Sequence, residues 1–388
     1  MARGRVPFII NLFTIIIILA VIVLIGISVL NNTVEDQLAK QFDSFLSSAG
    51  ITDSQGYDEI ESDAVNGTIA LKGVSFDLEE QNLTLKADTI QIRVIPSEVV
   101  GMAVNKKSGA ISQARVLGDM IELSVPDSDV STKMSSMDLT VFGDVGQSQI
   151  SRGDVTITGA DGIVNDLAIK SVEQGIDATF ETIDFNATGD FSMDALSNNS
   201  ASISEAQVSI ENLTSRSETG VITKIGTLDA TVSGDVSQEL TEGDLTVLFK
   251  KPNSVQLTMK DSVISVDPAS LADVEMMGFE SMLGGFLQDI TIEELTLDME
   301  TTPETVNIKS LDVISDILTG SGNFQANLDE AFLMEEVNLT LDVETLNPEI
   351  SMMISPIFAF MGNPIPQDEP FTFNYSIDAE GVMQMLIE

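Results

Sequence analysis

The side chains that could do chemistry in this chain are carboxylates and hydroxyls, because it contains neither His nor Cys. Without His there is no imidazole general base, no Ser–His pair and no imidazole zinc ligand. Without Cys there is no disulfide, thiolate metal site or Cys nucleophile. Paired carboxylates or a Ser–Lys pair remain. Acidic pairs such as Glu79 and Glu80 are plentiful, but they read as ordinary turn and surface charge. No G-x-S-x-G, Walker A or G-x-G-x-x-G motif occurs. Oxygen ligands gather in "PDSDVS" (Pro126–Ser131) and "ADGIVND" (Ala160–Asp166), and neither follows the spacing of an EF-hand loop. No enzyme is expected, and no catalytic residue, metal ligand or cofactor is assigned.

The charge balance narrows the partners. The chain carries 18 basic and 61 acidic residues, a net charge of −43 over 388 residues. Such a field repels nucleic acid and anionic bilayer surfaces. Trp is absent and Tyr occurs twice, which leaves little for stacking on bases. Nucleic acid is therefore not an expected partner. The acidity reads first as a solvated surface; a Ca²⁺-binding body is the other reading.

The elements that must position these residues begin with an apolar segment. Val6 to Leu30 carries no charge. At about 1.5 Å per residue, a helix of that length crosses a hydrocarbon core of about 30 Å. Arg3 and Arg5 precede it, while Glu35 and Asp36 follow it. The positive-inside rule then places residues 1–5 in the cytoplasm and makes 6–30 a single-pass signal-anchor in the inner or plasma membrane. The body would be periplasmic or extracellular. Val34, Leu38, Phe42, Phe45 and Leu46 recur at helical spacing, predicting a juxtamembrane amphipathic helix within 31–50.

From about Gly67 the period changes from 3.6 to 2, over residues 51–388. "IELSV" (Ile121–Val125), "IDFNA" (Ile183–Ala187), "ITIEELTLDM" (Ile290–Met299), "VNLTLDV" (Val337–Val343) and "FTFNYSIDA" (Phe371–Ala379) all alternate apolar with polar. "LTLKADTIQIRV" (Leu83–Val94) alternates twice, with a slip at Thr89 that predicts a bulge. A mainly β body with a largely antiparallel meander follows. Helices are few: Pro96–Val104, Pro268–Gln288 and Pro348–Gly362.

The middle repeats itself. "ISQA" begins at Ile111, "ITGA" at Ile157 and "ISEA" at Ile203, steps of 46 residues. "MDLTVFGDV" at Met137, "IDFNATGDF" at Ile183 and "LDATVSGDV" at Leu228 run in phase with them. Repeats of about 46 residues over 98–243 predict stacked β units, each long enough for about four short strands. The apolar face then either packs on another sheet, as a sandwich or solenoid, or lines a sheet curled around an elongated groove.

The order of segments is similar to that of a known family. An anchor is followed by "GTIALKGVSFDLEEQNLTLKADTIQIRV", a short helix, then "AISQARVLGDMIELS". This resembles the start of AsmA-like proteins, relatives of the chorein-type bridge-like lipid-transfer superfamily. "DITIEELTLDMETTPETVNIKSLDVISDILTGSGNFQANL" also looks like the C-terminal repeats of AsmA-like and type II secretion N-type proteins. The resemblance implies an anchored β-taco whose apolar inner face contacts phospholipid acyl chains, in lipid transfer or envelope homeostasis. It also implies envelope protein partners or self-assembly end to end, since this chain is short for a bridge. The groove candidates are the inward positions Leu83, Leu85, Ile90, Ile92, Ile121, Leu123, Ile183, Phe185, Val208, Ile210, Leu295 and Leu297. Alternation alone fits a closed sandwich core equally well. Met276, Met277 and Met282, with Met352, Met353 and Met361, are candidates for adaptable lids or for core fillers. A non-enzymatic surface, adhesive or secretion-apparatus scaffold is the alternative function. Its mark is the set of N-x-S/T triplets starting at Asn66, Asn82, Asn186, Asn198, Asn212, Asn338 and Asn374.

Overall fold

The computed structural model describes residues 56–387 apart from 64–65, 79–82, 99–109, 126–129, 147–155, 172–174, 191–201, 218–219, 238–252, 267–288, 329–333, 361, 367–368 and 379–382. The predicted anchor, the juxtamembrane helix, Pro268–Gln288 and most of Pro96–Val104 lie outside the described residues. Residues 96–98 are helical. No helix among the described residues is long and apolar enough to cross a membrane.

The fold is mainly β. The strands are β1 (Glu59–Asp63), β2 (Thr68–Leu78), β3 (Leu83–Val94), β4 (Ala110–Val125), β5 (Val130–Gly146), β6 (Thr156–Ser171), β7 (Ile176–Asp190) and β8 (Ser202–Arg216). They continue with β9 (Val221–Ser237), β10 (Asn253–Val266), β11 (Asp289–Thr301), β12 (Thr305–Ser315), β13 (Leu318–Leu328) and β14 (Met334–Leu346). Helix α1 (Pro348–Phe360) precedes β15 (Phe371–Ile377) and β16 (Met383–Ile387). The strands neighbour one another in chain order in a 16-stranded sheet, with β1 and β16 at its two edges. The alternative of a sandwich or solenoid does not appear among the described residues, whose strands form one sheet. Each strand pairs antiparallel with its chain neighbour wherever the register is resolved.

The repeat is real, but its content differs from the expectation of about four short strands. Each 46-residue unit supplies one long hairpin: β4–β5, β6–β7 and β8–β9. The apparent breaks are polar doublets inside continuous strands. In β3, Ala87 and Ile90 are both buried while Asp88 and Thr89 face outward. Register pairing lines up the equivalent doublets: Lys72 with Thr89, Thr89 with Asp119, Asp119 with Ser136, Ser136 with Asn165, and Asn165 with Thr182. Two outward residues in succession would flip an ideal strand. In β2, β4, β6, β8 and β10 a residue at the doublet takes a left-handed conformation that turns the chain back: Gly73 (φ 60°), Met120 (50°), Asp166 (51°), Asn212 (51°) and Asp261 (52°); the strands between them follow through the shared register. Gly, Asn and Asp take that conformation most cheaply. "ADGIVND" (Ala160–Asp166) is thus the interior of β6, ending on such a residue, and not a loop.

Contacts divide the chain into two compact units, residues 1–204 with 237–244, and residues 205–236 with 245–388. In the first unit the inward residues form one buried cluster. Leu71 and Phe76 of β2, Leu85, Ile90 and Ile92 of β3, Val116, Ile121 and Leu123 of β4, Met134, Met137 and Leu139 of β5, and Val164 and Leu167 of β6 belong to it. Ile90 is 1% exposed. Burying such a side chain stabilises the fold by about 1.5–3 kcal/mol. The opposite face is polar and carries cross-strand ion pairs, Lys72 with Glu59 and Glu61, Lys133 with Glu122, and Arg115 with Asp138.

Candidate functional site

The second unit repeats the alternation with a different outcome. Its inward residues line up in cross-strand rows. One row runs Leu257, Leu297, Leu311, Gly322, Leu341, Phe373, Ile387. The next runs Met259, Leu295, Val313, Gly320, Val343, Phe371. A third runs Val255, Met299, Ile308, Phe324, Leu339, Tyr375, Met385. These rows contain no charged side chain. Apart from Val343 and Gly320, their members are only half-buried. The same period-2 code therefore gives a closed core in the first unit and a partly open apolar face in the second.

Glycines shape that face. Gly320 and Gly322 of β13 interrupt the rows where neighbouring strands carry Leu311, Val313, Leu341 and Val343. A Cβ at Gly320 would stand 2.4 Å from the Asp342 carbonyl oxygen, and one at Gly322 would stand 2.7 Å from that of Thr340. Neither position admits a side chain without moving backbone. The strip is lowest along β13, between two strands of aliphatic side chains.

Helix α1 lies over one end of this face. Its start is fixed by Asn347, whose Oδ1 accepts from the Glu349 amide at 2.9 Å while its Nδ2 donates to the Asp316 carbonyl at 3.2 Å. Phe358 of α1 meets Phe373 of β15 edge-to-face, ring centres 5.9 Å apart. The segment after α1 returns along β16, where Asn363 Nδ2 donates to the Met385 carbonyl at 2.9 Å. Beside the start of α1 and the end of β14 lies a cavity of about 440 Å³, lined among others by Glu344, Met352, Pro366, Glu369 and Phe371.

The predicted site residues separate accordingly. Leu85, Ile90, Ile92, Ile121 and Leu123 are buried in the first unit's cluster, and Ile183 and Phe185 pack half-buried against it. Leu83 opens β3 opposite Leu78. Val208 and Ile210 are half-buried in β8. Leu295 and Leu297 sit centrally in the second unit's rows. The sequence reading left out Leu311, Leu339, Leu341, Phe373 and Tyr375, although their strands alternate as plainly. Of the six lid methionines, Met352 and Met353 lie on α1; Met276, Met277, Met282 and Met361 fall outside the described residues.

The outward face carries a paired carboxylate and a second one beside it. Arg115 donates Nε–H to Asp138 Oδ1 at 2.6 Å and pairs with its other oxygen through Nη2. That hydrogen bond, with the charges of Arg115 and Arg93, holds Asp138 below the usual carboxylate range. Nearby Asp161 is pushed up by burial and then by the like charges of Asp138 and Asp184. Among the described residues no group of three or more acidic side chains is placed to hold a metal ion. No protein-family model, curated protein or solved structure matches the chain.

Proposed function

We propose that this chain is a membrane-anchored extracytoplasmic protein of AsmA-like type that binds lipid acyl chains on the apolar inner face of a curled sheet, within its second unit. The mechanism is passive. Acyl chains lie along the strip between Leu297, Leu311, Leu341 and Phe373, and each methylene removed from water contributes roughly 0.8 kcal/mol. Headgroups stay in water at the polar rim. Lipid transfer or envelope homeostasis is the process such binding serves.

The observation that carries the reading is the contrast between units. Three rows of uncharged, mostly apolar side chains stay largely half-exposed across β10 to β15, although the next row on the same face, Thr301, Val306, Ala326 and Val337, is buried, whereas the same pattern in β2 to β6 is sealed. An apolar face of this extent left open to water is the signature of an interaction site. The uncharged segment 6–30, read from sequence as an anchor, and the resemblance in segment order support the membrane setting.

A pair of substitutions tests it. Leu297→Asp places a carboxylate on the open face, and the full chain should fold but retain several-fold less phospholipid after detergent washing. Ile92→Asp buries an unpaired carboxylate in the sealed core, at a cost of several kcal/mol, and should unfold the first unit. Circular dichroism separates the cases. A folded Leu297→Asp chain that retains wild-type lipid overturns the reading.

A further inference from the structure

The outward side of α1 is apolar beyond its first turn, where exposed Glu349 lies on the same side. Met352, Pro356, Ala359 and Phe360 are exposed and recur at helical spacing, so they form one stripe along the helix, with Met352 at its edge also bordering the cavity beside Glu344 and Glu369. Met352 is 65% exposed and Phe360 93%. The opposite side of the same helix holds Phe358 against Phe373, on the lipid-binding face. The only charge in α1 is Glu349, in its first turn.

We propose that this stripe docks on a lipid bilayer of zwitterionic or neutral headgroups, laying α1 in the interface beside the open face of the second unit. This rests on the lipid-binding reading above and gives it an entry point. Three observations select a bilayer over other occupants. Another copy of this chain brings a second net charge of −43, and close approach of two such bodies is opposed. A stable protein interface buries about 800 Å² per partner, more than these side chains offer. Membrane-surface binding, in contrast, scales with the apolar area sunk about 5–10 Å below the headgroups and needs no fixed partner surface. The stripe has no Lys or Arg, and the chain as a whole is acidic, so an anionic leaflet is disfavoured.

The chain has no Trp, so Phe360→Trp supplies a single fluorophore at a fully solvated position. The full chain is reconstituted in phosphatidylcholine vesicles. Phosphatidylcholine with brominated acyl chains is then placed either in those vesicles or in acceptor vesicles added afterwards. The proposal predicts a blue-shifted emission, quenched about twofold or more in at least one arrangement. Met352→Glu in the same background should remove most of that quenching. Unquenched, water-like emission overturns the proposal. So does a blue shift without quenching, which would mean a protein occupant. Tyr375→Trp, on the inner face, keeps the two claims apart. Quenching at 375 without quenching at 360 defeats the docking surface alone. Quenching at 360 without quenching at 375 leaves the docking surface standing and removes the acyl-chain face. Quenching at neither position defeats both.

Discussion

Gly118 and Ile121 face one another across the polar doublet of β4: a Cβ on Gly118 would stand 2.5 Å from Ile121 Cδ1. In a flat strand, residues three apart point to opposite faces. Here both belong to the buried side, with Asp119 and Met120 turned out between them. The strand is creased at this point, and the register carries the crease from strand to strand.

The crease predicts where the first unit is strained. Met120 holds φ at 50° with its side chain 61% exposed. A residue of this kind in the left-handed region costs about 1–2 kcal/mol relative to one that tolerates it. Asp166, Asn212 and Asp261 occupy the equivalent positions. Met120→Asn is therefore expected to stabilise the chain by about 0.5–1 kcal/mol, read as a raised Tm. The same exchange at exposed Met352, in helical backbone, should lower it or leave it unchanged.

A second prediction concerns the glycine under Phe185. Gly162 and Phe185 are register partners in β6 and β7. A Cβ at Gly162 would stand 2.9 Å from both the Asp138 carbonyl oxygen and the Phe185 ring. Gly162→Val should destabilise by about 1–3 kcal/mol through overpacking, measured by denaturant unfolding. Adding Phe185→Ala should recover part of that loss, because the ring is one of the two obstructions.

Two neighbouring carboxylates should respond to pH with opposite signs. Asp138 titrates lower in the folded chain, so its contribution is present above about pH 4 and is lost as pH falls through the folded value. Its pair with Arg115 is substantially exposed, which limits the effect to under about 1 kcal/mol. Asp161 titrates higher in the folded chain, so its charge lowers stability above about pH 4 and the penalty is relieved in acid. At pH 7, Asp138→Asn should lower Tm and Asp161→Asn should raise it. Both differences should shrink towards pH 3.

Much of this architecture is legible in the sequence. Alternation gives the strands, and the 46-residue step gives their stacking order. The slip at Thr89 marks the crease in β3, but the bulge expected there is absent, because β3 keeps one register with β2 and with β4 across it. Gly, Asn and Asp mark turns and left-handed strand residues alike, so the equivalent sites in β4 and β6 carry no distinct signal. A length of 46 residues fits about four short strands as well as it fits one long hairpin, so length did not separate them. The candidate site was legible only in part. Ile92 and Leu297 have the same neighbours in sequence, apolar residues two positions away and polar ones beside them, yet Ile92 is sealed and Leu297 is half-open. What separates them is how much of the inner face is covered, a long-range property that alternation does not encode. The exposed stripe of α1 was hidden for the opposite reason. "PEISMMISPIFAFMG" is apolar on every side, so no contrast in the sequence marks which side is free.

The central claim is that acyl chains occupy the inner face of the second unit. The most direct measurement places a benzophenone amino acid at Leu297 in the full chain, irradiates intact cells and weighs the purified protein. The account predicts adducts with phospholipid masses at Leu297 and at Leu341, and none at Glu300 on the outward face or at Leu85 in the sealed cluster. Folded protein with no lipid adduct at Leu297 or Leu341, or with crosslinks to protein only, would contradict it.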